Sequence, residues 1–215
     1  MSDLECAAMP IITPIVEGAK NSLSGLDERQ RLILARWIAK TGYVLAHYMD
    51  FHRLVPRKHC RHLFENPLEL PNGVVAVTNF PPVPHPYFLW FGSSWPILRS
   101  TKAAADDEIR RALASSYKIV VQLEHFCFMV AYWSLPGFSI GAFPDLHHVV
   151  WPETSVFRQM PGGHFPPTKI DSLTYVKEMI ESTCVVEDSM SLDEPVEGPI
   201  RWIRVNPESA SANND

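Results

Sequence analysis

The chain has 215 residues, 46% of them apolar and 20% charged, with 24 acidic and 19 basic side chains for a net charge of −5. These proportions belong to globular proteins and exclude wholesale disorder, a collagen repeat and a disulfide miniprotein. The longest apolar runs, such as residues 126–133, fall short of the about 20 residues of a bilayer span, and no leader pattern opens the chain, so neither a transmembrane helix nor a signal peptide is expected.

In chain order, residues 2–18 are mostly apolar, and Pro10 and Pro14 predict a short or kinked helix ending at Gly18. A turn follows at 21–25. Residues 27–51 form the clearest element, a long amphipathic helix. Its apolar stripe of Leu34, Trp37, Ile38, Thr41, Leu45 and Tyr48 is expected to face a core. Arg29, Arg36, Lys40 and His47 fall together on another face. Pro56 fits the first turn of a second helix over 57–65, with Leu63 and Phe64 turned to the core. The chain then becomes rich in proline. Residues 74–79 and 87–91 read as strands joined by a stiff loop at 81–86. Residues 103–114 predict a short surface helix.

The stretch 117–124 alternates and predicts a half-buried strand. Ile119, Val121 and Leu123 point inward, and Lys118, Gln122 and Glu124 outward. Residues 126–133 predict a second, more apolar strand. Residues 136–167 are irregular and rich in Pro, Gly and aromatics. A helix at 171–182 and a late strand at 200–205 complete the set, and 206–215 lacks an apolar anchor and reads as a disordered tail. No internal repeat is present. The expectation is an α+β fold in which N-terminal helices pack on a mostly antiparallel sheet. Residues 1–66 form its helical part and 67–205 its β-rich part, within one compact domain.

Charge is unevenly spread: residues 1–62 carry a net +3, residues 63–170 a net −1 and residues 171–215 a net −7. A basic head and an acidic tail can attract each other or meet separate partners. Cys6, Cys60, Cys127 and Cys184 are far apart and show no C-x-x-C pair, so they read as free thiols of a reducing cytoplasm.

The stretch 52–62 holds Arg53, Arg57, Lys58 and Arg61 with His52, His59, His62 and Cys60. It reads as a solvated basic helix, as a surface for phosphates or an acidic partner, or as a metal site built from His59, Cys60 and His62. The adjacent His59 and Cys60 point to different helix faces, which counts against the metal. His147 and His148, with Asp145 and His164, form a second group, but neighbouring residues of a strand face opposite ways. The aromatics Phe80, Tyr87, Trp90, Trp95, Trp133, Trp151 and Trp202 serve a core, a partner contact or base stacking. The acidic stretch 187–197 is a solvated loop or a phosphate mimic toward a basic partner. No nucleophile elbow or phosphate-binding lysine loop occurs. No cofactor is expected.

The opening Met1-Ser2-Asp3-Leu4-Glu5, then Pro10, Pro14, Gly18 and Trp37-Ile38-Ala39-Lys40-Thr41, resembles the region after a C-x-x-C-N-x-G-W-M-S-x-L-E motif in bacterial and phage HNH-endonuclease-like proteins. Val150-Trp151-Pro152 and Phe165-Pro166-Pro167 are similar to that family's later elements. The family's paired cysteines and catalytic histidines would precede Met1. The resemblance therefore implies a region that accompanies a nuclease centre without containing one, either as a standalone derivative or as a chain begun at an internal methionine. The expected function is a non-enzymatic interaction module that occupies a surface of a nucleoprotein or nuclease complex. A phage-encoded inhibitor of a host defence complex is one specific form. Arg29, Arg36 and Lys40 would join Arg53, Arg57, Lys58 and Arg61 in that contact. The alternatives are a nucleic-acid-binding accessory region of an HNH nuclease, or a metal-dependent hydrolase using the remaining histidines.

Overall fold

The computed structural model describes residues 3–17, 23–81, 84–98, 109, 111, 113–135, 137–142, 147–152, 157–159, 179–180, 183–187 and 201–204. Among them lie three bounded helices, α1 (Asp3–Val16), α2 (Glu28–Tyr48) and α3 (Arg57–Glu65). Five strands, β1 (Val74–Asn79), β2 (His85–Gly92), β4 (Tyr117–Glu124), β5 (Phe126–Tyr132) and β7 (His148–Trp151), form one sheet in the order β2-β4-β5-β1-β7, with every neighbour antiparallel. A second sheet, order β10-β3-β9-β6-β8, is mixed and contains β3 (Ser94–Leu98), β6 (Phe138–Ala142), β8 (Phe157–Gln159), β9 (Cys184–Glu187) and β10 (Arg201–Arg204). The fold is α+β, with N-terminal helices on an antiparallel sheet as expected.

The second sheet has a plain cause. Alternate residues of β1, β4 and β5 point to opposite faces, and both sets are apolar. Val74, Ala76, Ile119, Val121, Phe126, Phe128 and Val130 pack with the helices. Val75, Val77, Val120, Cys127, Met129 and Ala131 pack with Trp95, Ile97, Ile140 and Val185 of the second sheet. A sheet apolar on both faces requires two covers. The result is three layers: helices, antiparallel sheet, mixed sheet.

This corrects the half-buried reading of 117–124. Lys118 and Gln122 are 0% and 1% exposed, not outward in solvent. It also corrects the irregular reading of 136–167, since β6, β7 and β8 lie within it. Strands β3 and β9 add to the elements that the sequence pattern predicts. Of the helix expected at 103–114, residues 109, 111 and 113 are helical, and of 171–182, residues 179–180 are. The tail at 206–215 lies outside the described residues.

Helix α2 starts where a capping box forms: Gln30 N donates to Asp27 Oδ1 at 2.8 Å and Asp27 N donates to Gln30 Oε1 at 3.0 Å. It stops when Asp50 turns left-handed at φ 64°, letting Phe51 N reach Ala46 O at 2.9 Å. Its buried face is Leu34, Ala35, Ile38, Ala39, Gly42, Tyr43 and Ala46. The stripe expected from the sequence is therefore rotated. Small residues face the sheet, and Tyr48 is 82% exposed. Gly42 sets the approach distance, because a Cβ there would lie 2.8 Å from Val130 Cγ1 and 3.3 Å from Ile119 Cγ2.

Both contacts at Gly42 are β-branched side chains on stiff strands, which cannot swing aside. Gly42→Ala should therefore cost about 1–3 kcal/mol by overpacking, outweighing the about 1 kcal/mol of helix propensity it gains. Urea unfolding measures the balance, and unchanged or higher stability would show that α2 sits loosely on the sheet.

Candidate functional site

Helix α3 is placed by what precedes it. After α2 ends, Leu54 and Val55 bury themselves and Pro56 caps the new helix with φ −56° and ψ 134°. Only His59 and Leu63 of α3 are buried, one helical turn apart. That pair fixes the inner face, so the spacing of the helix turns Arg57, Cys60, Arg61 and Phe64 outward. Arg53, Arg57, Lys58 and Arg61 are all exposed.

Two features of this surface run against local stability. The first turn of α3 carries Arg57 and Lys58 and no acid, although a helix N-terminus favours negative charge. Phe64 is 89% exposed and Leu68 is 76% exposed. The expectation that Phe64 faces the core is thus corrected: Leu63 goes in and Phe64 goes out. Tyr48 and Phe51, shortly before α3 in the chain, are exposed as well. The named aromatics of the β region mostly build the interior. Trp95 and Trp133 are buried, Phe80, Trp90 and Trp151 are half-buried, and Tyr87 is exposed. The side chain of Trp202 lies outside the described residues.

The three α2 cations expected to join this surface, Arg29, Arg36 and Lys40, do not all do so. Arg29 is exposed. Arg36 is buried, and its Nη2 donates to Leu63 O at 2.8 Å. Burial lowers its pKa. Arg36 therefore caps a carbonyl in the last turn of α3 and pins α3 to α2. It is a correction to the outward cationic face drawn from helical spacing. Lys40 is paired with Glu5 of α1.

The metal candidates diverge. His59 points inward, its Nδ1 3.1 Å from Tyr117 Oη, which lies 2.6 Å from Tyr43 Oη. Its ring meets Tyr132 edge-on at 4.5 Å. Cys60 is exposed. His62 Nε2 lies 3.6 Å from Glu69 Oε2. Among the described residues, no three His, Cys, Asp or Glu side chains gather where they could hold a metal ion. His147 is buried and His148 exposed, on opposite sides as extended backbone requires. Asp145, His164 and residues 188–197 of the acidic stretch lie outside the described residues.

Two buried polar groups stand where the sequence pattern suggests a metal ligand and a solvent-facing lysine. His59 is one; burial, then Lys58 and His62, lowers its pKa to about 4. Lys118 is the other. It lies between the sheets with Nζ donating to Ile180 O at 2.7 Å and Thr183 O at 2.6 Å, and 4.2 Å from the centre of the Trp95 ring. Burial drives its pKa down to about 7. His147 is depressed to about 3 by burial first and then by Lys118. All four cysteines are free; Cys127 and Cys184 are buried, and burial raises both thiols. Among the described residues, no helix is long and apolar enough to cross a membrane. No protein-family model, curated protein or solved structure matches the chain.

The surface so assembled can bind an anion through fixed cations and an apolar group through Phe64. The buried groups beneath it are positioned for structure. As pH falls from about 6.5 to 4, the unfolded chain takes up a proton at residue 59 that the folded chain refuses, so stability is lost over that window. Acid unfolding of His59→Phe should be shallower there than that of the wild type, by at most about 1.4 kcal/mol per pH unit. Identical slopes would mean that His59 charges inside the fold.

Lys118 acts with the same sign in a higher pH window. Above about pH 7 the folded chain sheds a proton that the unfolded chain keeps, so stability rises with pH. Between pH 7 and 8 the wild type should gain up to about 1.4 kcal/mol relative to Lys118→Met. Equal pH dependence in urea titrations would show that the ammonium persists on its two carbonyls.

Proposed function

We propose that this chain is a non-enzymatic interaction module that acts in the cytoplasm by covering an acidic surface of a nucleoprotein or nuclease complex with the outer face of α3. The observation that carries this reading is the misplaced charge of α3: Arg57 and Lys58 stand in a first turn that has no acid, beside exposed Arg53 and Arg61. Neither helix stability nor core packing accounts for cations there. Residues that break a local rule without a structural return mark a functional surface. The exposed Phe64 supports the same reading, because a buried aromatic contact is a common anchor of an interface.

The resemblance of residues 1–41 to the region that accompanies HNH centres supports a nuclease-associated partner. The proposed mechanism is occupation of a surface, with no bond made or broken. Inhibition of a host defence complex by a phage protein is one form that such occupation takes.

Immobilised heparin, a polyanion without bases, tests the charge. The wild type should be retained at low salt, and the Arg53→Ser, Arg57→Ser, Lys58→Ser, Arg61→Ser combination should elute at clearly lower salt. Its melting temperature should be close to that of the wild type, since all four side chains are exposed. Equal elution of the two proteins would remove the cationic surface. Cleavage of DNA or RNA by the purified chain with Mg²⁺, Mn²⁺ or Zn²⁺ would remove the non-enzymatic assignment.

A further inference from the structure

The outer face of α3 carries more than charge. Arg57, Arg61 and Phe64 recur at i, i+4 and i+7, which puts them on one stripe of the helix. Arg57 to Arg61 rises about 6 Å along the axis, and Phe64 follows about 4.5 Å further on. His59 and Leu63 hold the opposite face in the core, so this stripe cannot roll inward. Glu65, the helix's acid, lies on the side of Arg61 away from Phe64.

We infer that this stripe binds single-stranded nucleic acid, with Phe64 as the platform on which one base stacks and Arg57 and Arg61 on the flanking phosphates. The inference rests on the interaction-module reading and names its ligand. Charge complementarity selects a polyanion. Phe64 selects among polyanions. It is 89% exposed, so almost the whole ring is available to a planar partner. In a duplex the bases already stack on one another, and an inserted ring must first unstack a step. In a single strand the base faces are open, and aromatic–base stacking with a cationic track is the general mode of recognition. An acidic protein surface would use the arginines and take the ring as an anchor, but a single strand repeats a flat base beside every phosphate, the spacing that this stripe of cations and ring matches.

Fluorescence anisotropy on the full chain tests this, with fluorescein-labelled fifteen-nucleotide poly-dT and a duplex of the same length as probes. The single strand should bind about tenfold more tightly than the duplex. Phe64→Ala should weaken single-strand binding by about 5- to 100-fold and leave the salt dependence unchanged, because stacking releases no counterions. Phe64→Trp should retain binding. Arg57→Ser with Arg61→Ser should reduce the slope of log K against log salt by about 1.4, two phosphates at about 0.7 each. Equal or tighter duplex binding overturns the inference, as does a Phe64→Ala variant that binds poly-dT like the wild type. If heparin retention survives either result, the interaction module stands and its partner is an acidic protein or a duplex backbone. If heparin retention is absent as well, both readings fall.

Discussion

An antiparallel sheet with apolar side chains on both faces cannot stand in water, and every other layer of this protein answers that constraint. Ile119 and Val121 on one side of β4, and Val120 on the other, are fully buried. Each side chain of this kind contributes about 1.5–3 kcal/mol when removed from water. The helical cover is drawn close by small residues. Ala35, Ala39, Gly42 and Ala46 line the inner face of α2, so the backbone itself approaches Ile119 and Val130. The opposite cover is the mixed sheet, whose Trp95 and Val185 fill the space against Met129 and Ala131.

Covering a sheet twice creates a polar problem, and Lys118 shows how it is met. Its position in β4 directs it between two sheets, where an isolated ammonium is expensive. Among the described residues it forms no salt bridge. Instead two carbonyls from residues 180 and 183 accept from it, and the Trp95 ring lies against it. The lysine thereby ties the helical residues 179–180, and the approach to β9, onto the antiparallel sheet. Beneath α3 the answer is different: Tyr43, Tyr117 and His59 satisfy one another by hydroxyl and imidazole contacts. Both arrangements keep neutral or dispersed polarity in the interior.

This explains which parts of the fold could be read from the sequence. Helix α2 has long, regular periodicity, and strands β1, β4 and β5 are runs rich in β-branched and aromatic residues, so they were legible. The orientation of β4 was not. The alternation of Lys118 and Gln122 with aliphatic residues is the ordinary mark of a solvent face; for Lys118 the distant carbonyls of residues 180 and 183 reverse it, and Gln122 donates to the nearby Glu124 carbonyl. The second sheet was hidden for another reason. Its strands are short, hold Pro96 and Gly141, and pair across long stretches of chain, so no local pattern announces them. At the candidate site the arginines were legible from composition alone. Phe64 was not, because an aromatic in an amphipathic helix is assigned to the core by default. The signal was nevertheless present: Phe64 shares the stripe of Arg57 and Arg61, while Leu63 shares that of His59.

Helix α3 therefore has two faces under different physical control. Its inner face is over-determined: His59 contacts Tyr117 and Tyr132, Leu63 is buried, and the Leu63 carbonyl accepts from Arg36. A rotation of α3 about its axis would break all of these together. Its outer face is under-determined by stability, with cations at the positive end of the dipole and an aromatic ring in water. Such a ring disfavours the isolated chain, since its apolar area remains hydrated. A rigid inner face fixes the backbone that carries the outer groups, so contact orders only their side chains, and that partial preorganisation favours binding. The same anchoring that makes α3 part of the fold thus makes its exposed stripe usable as a recognition element.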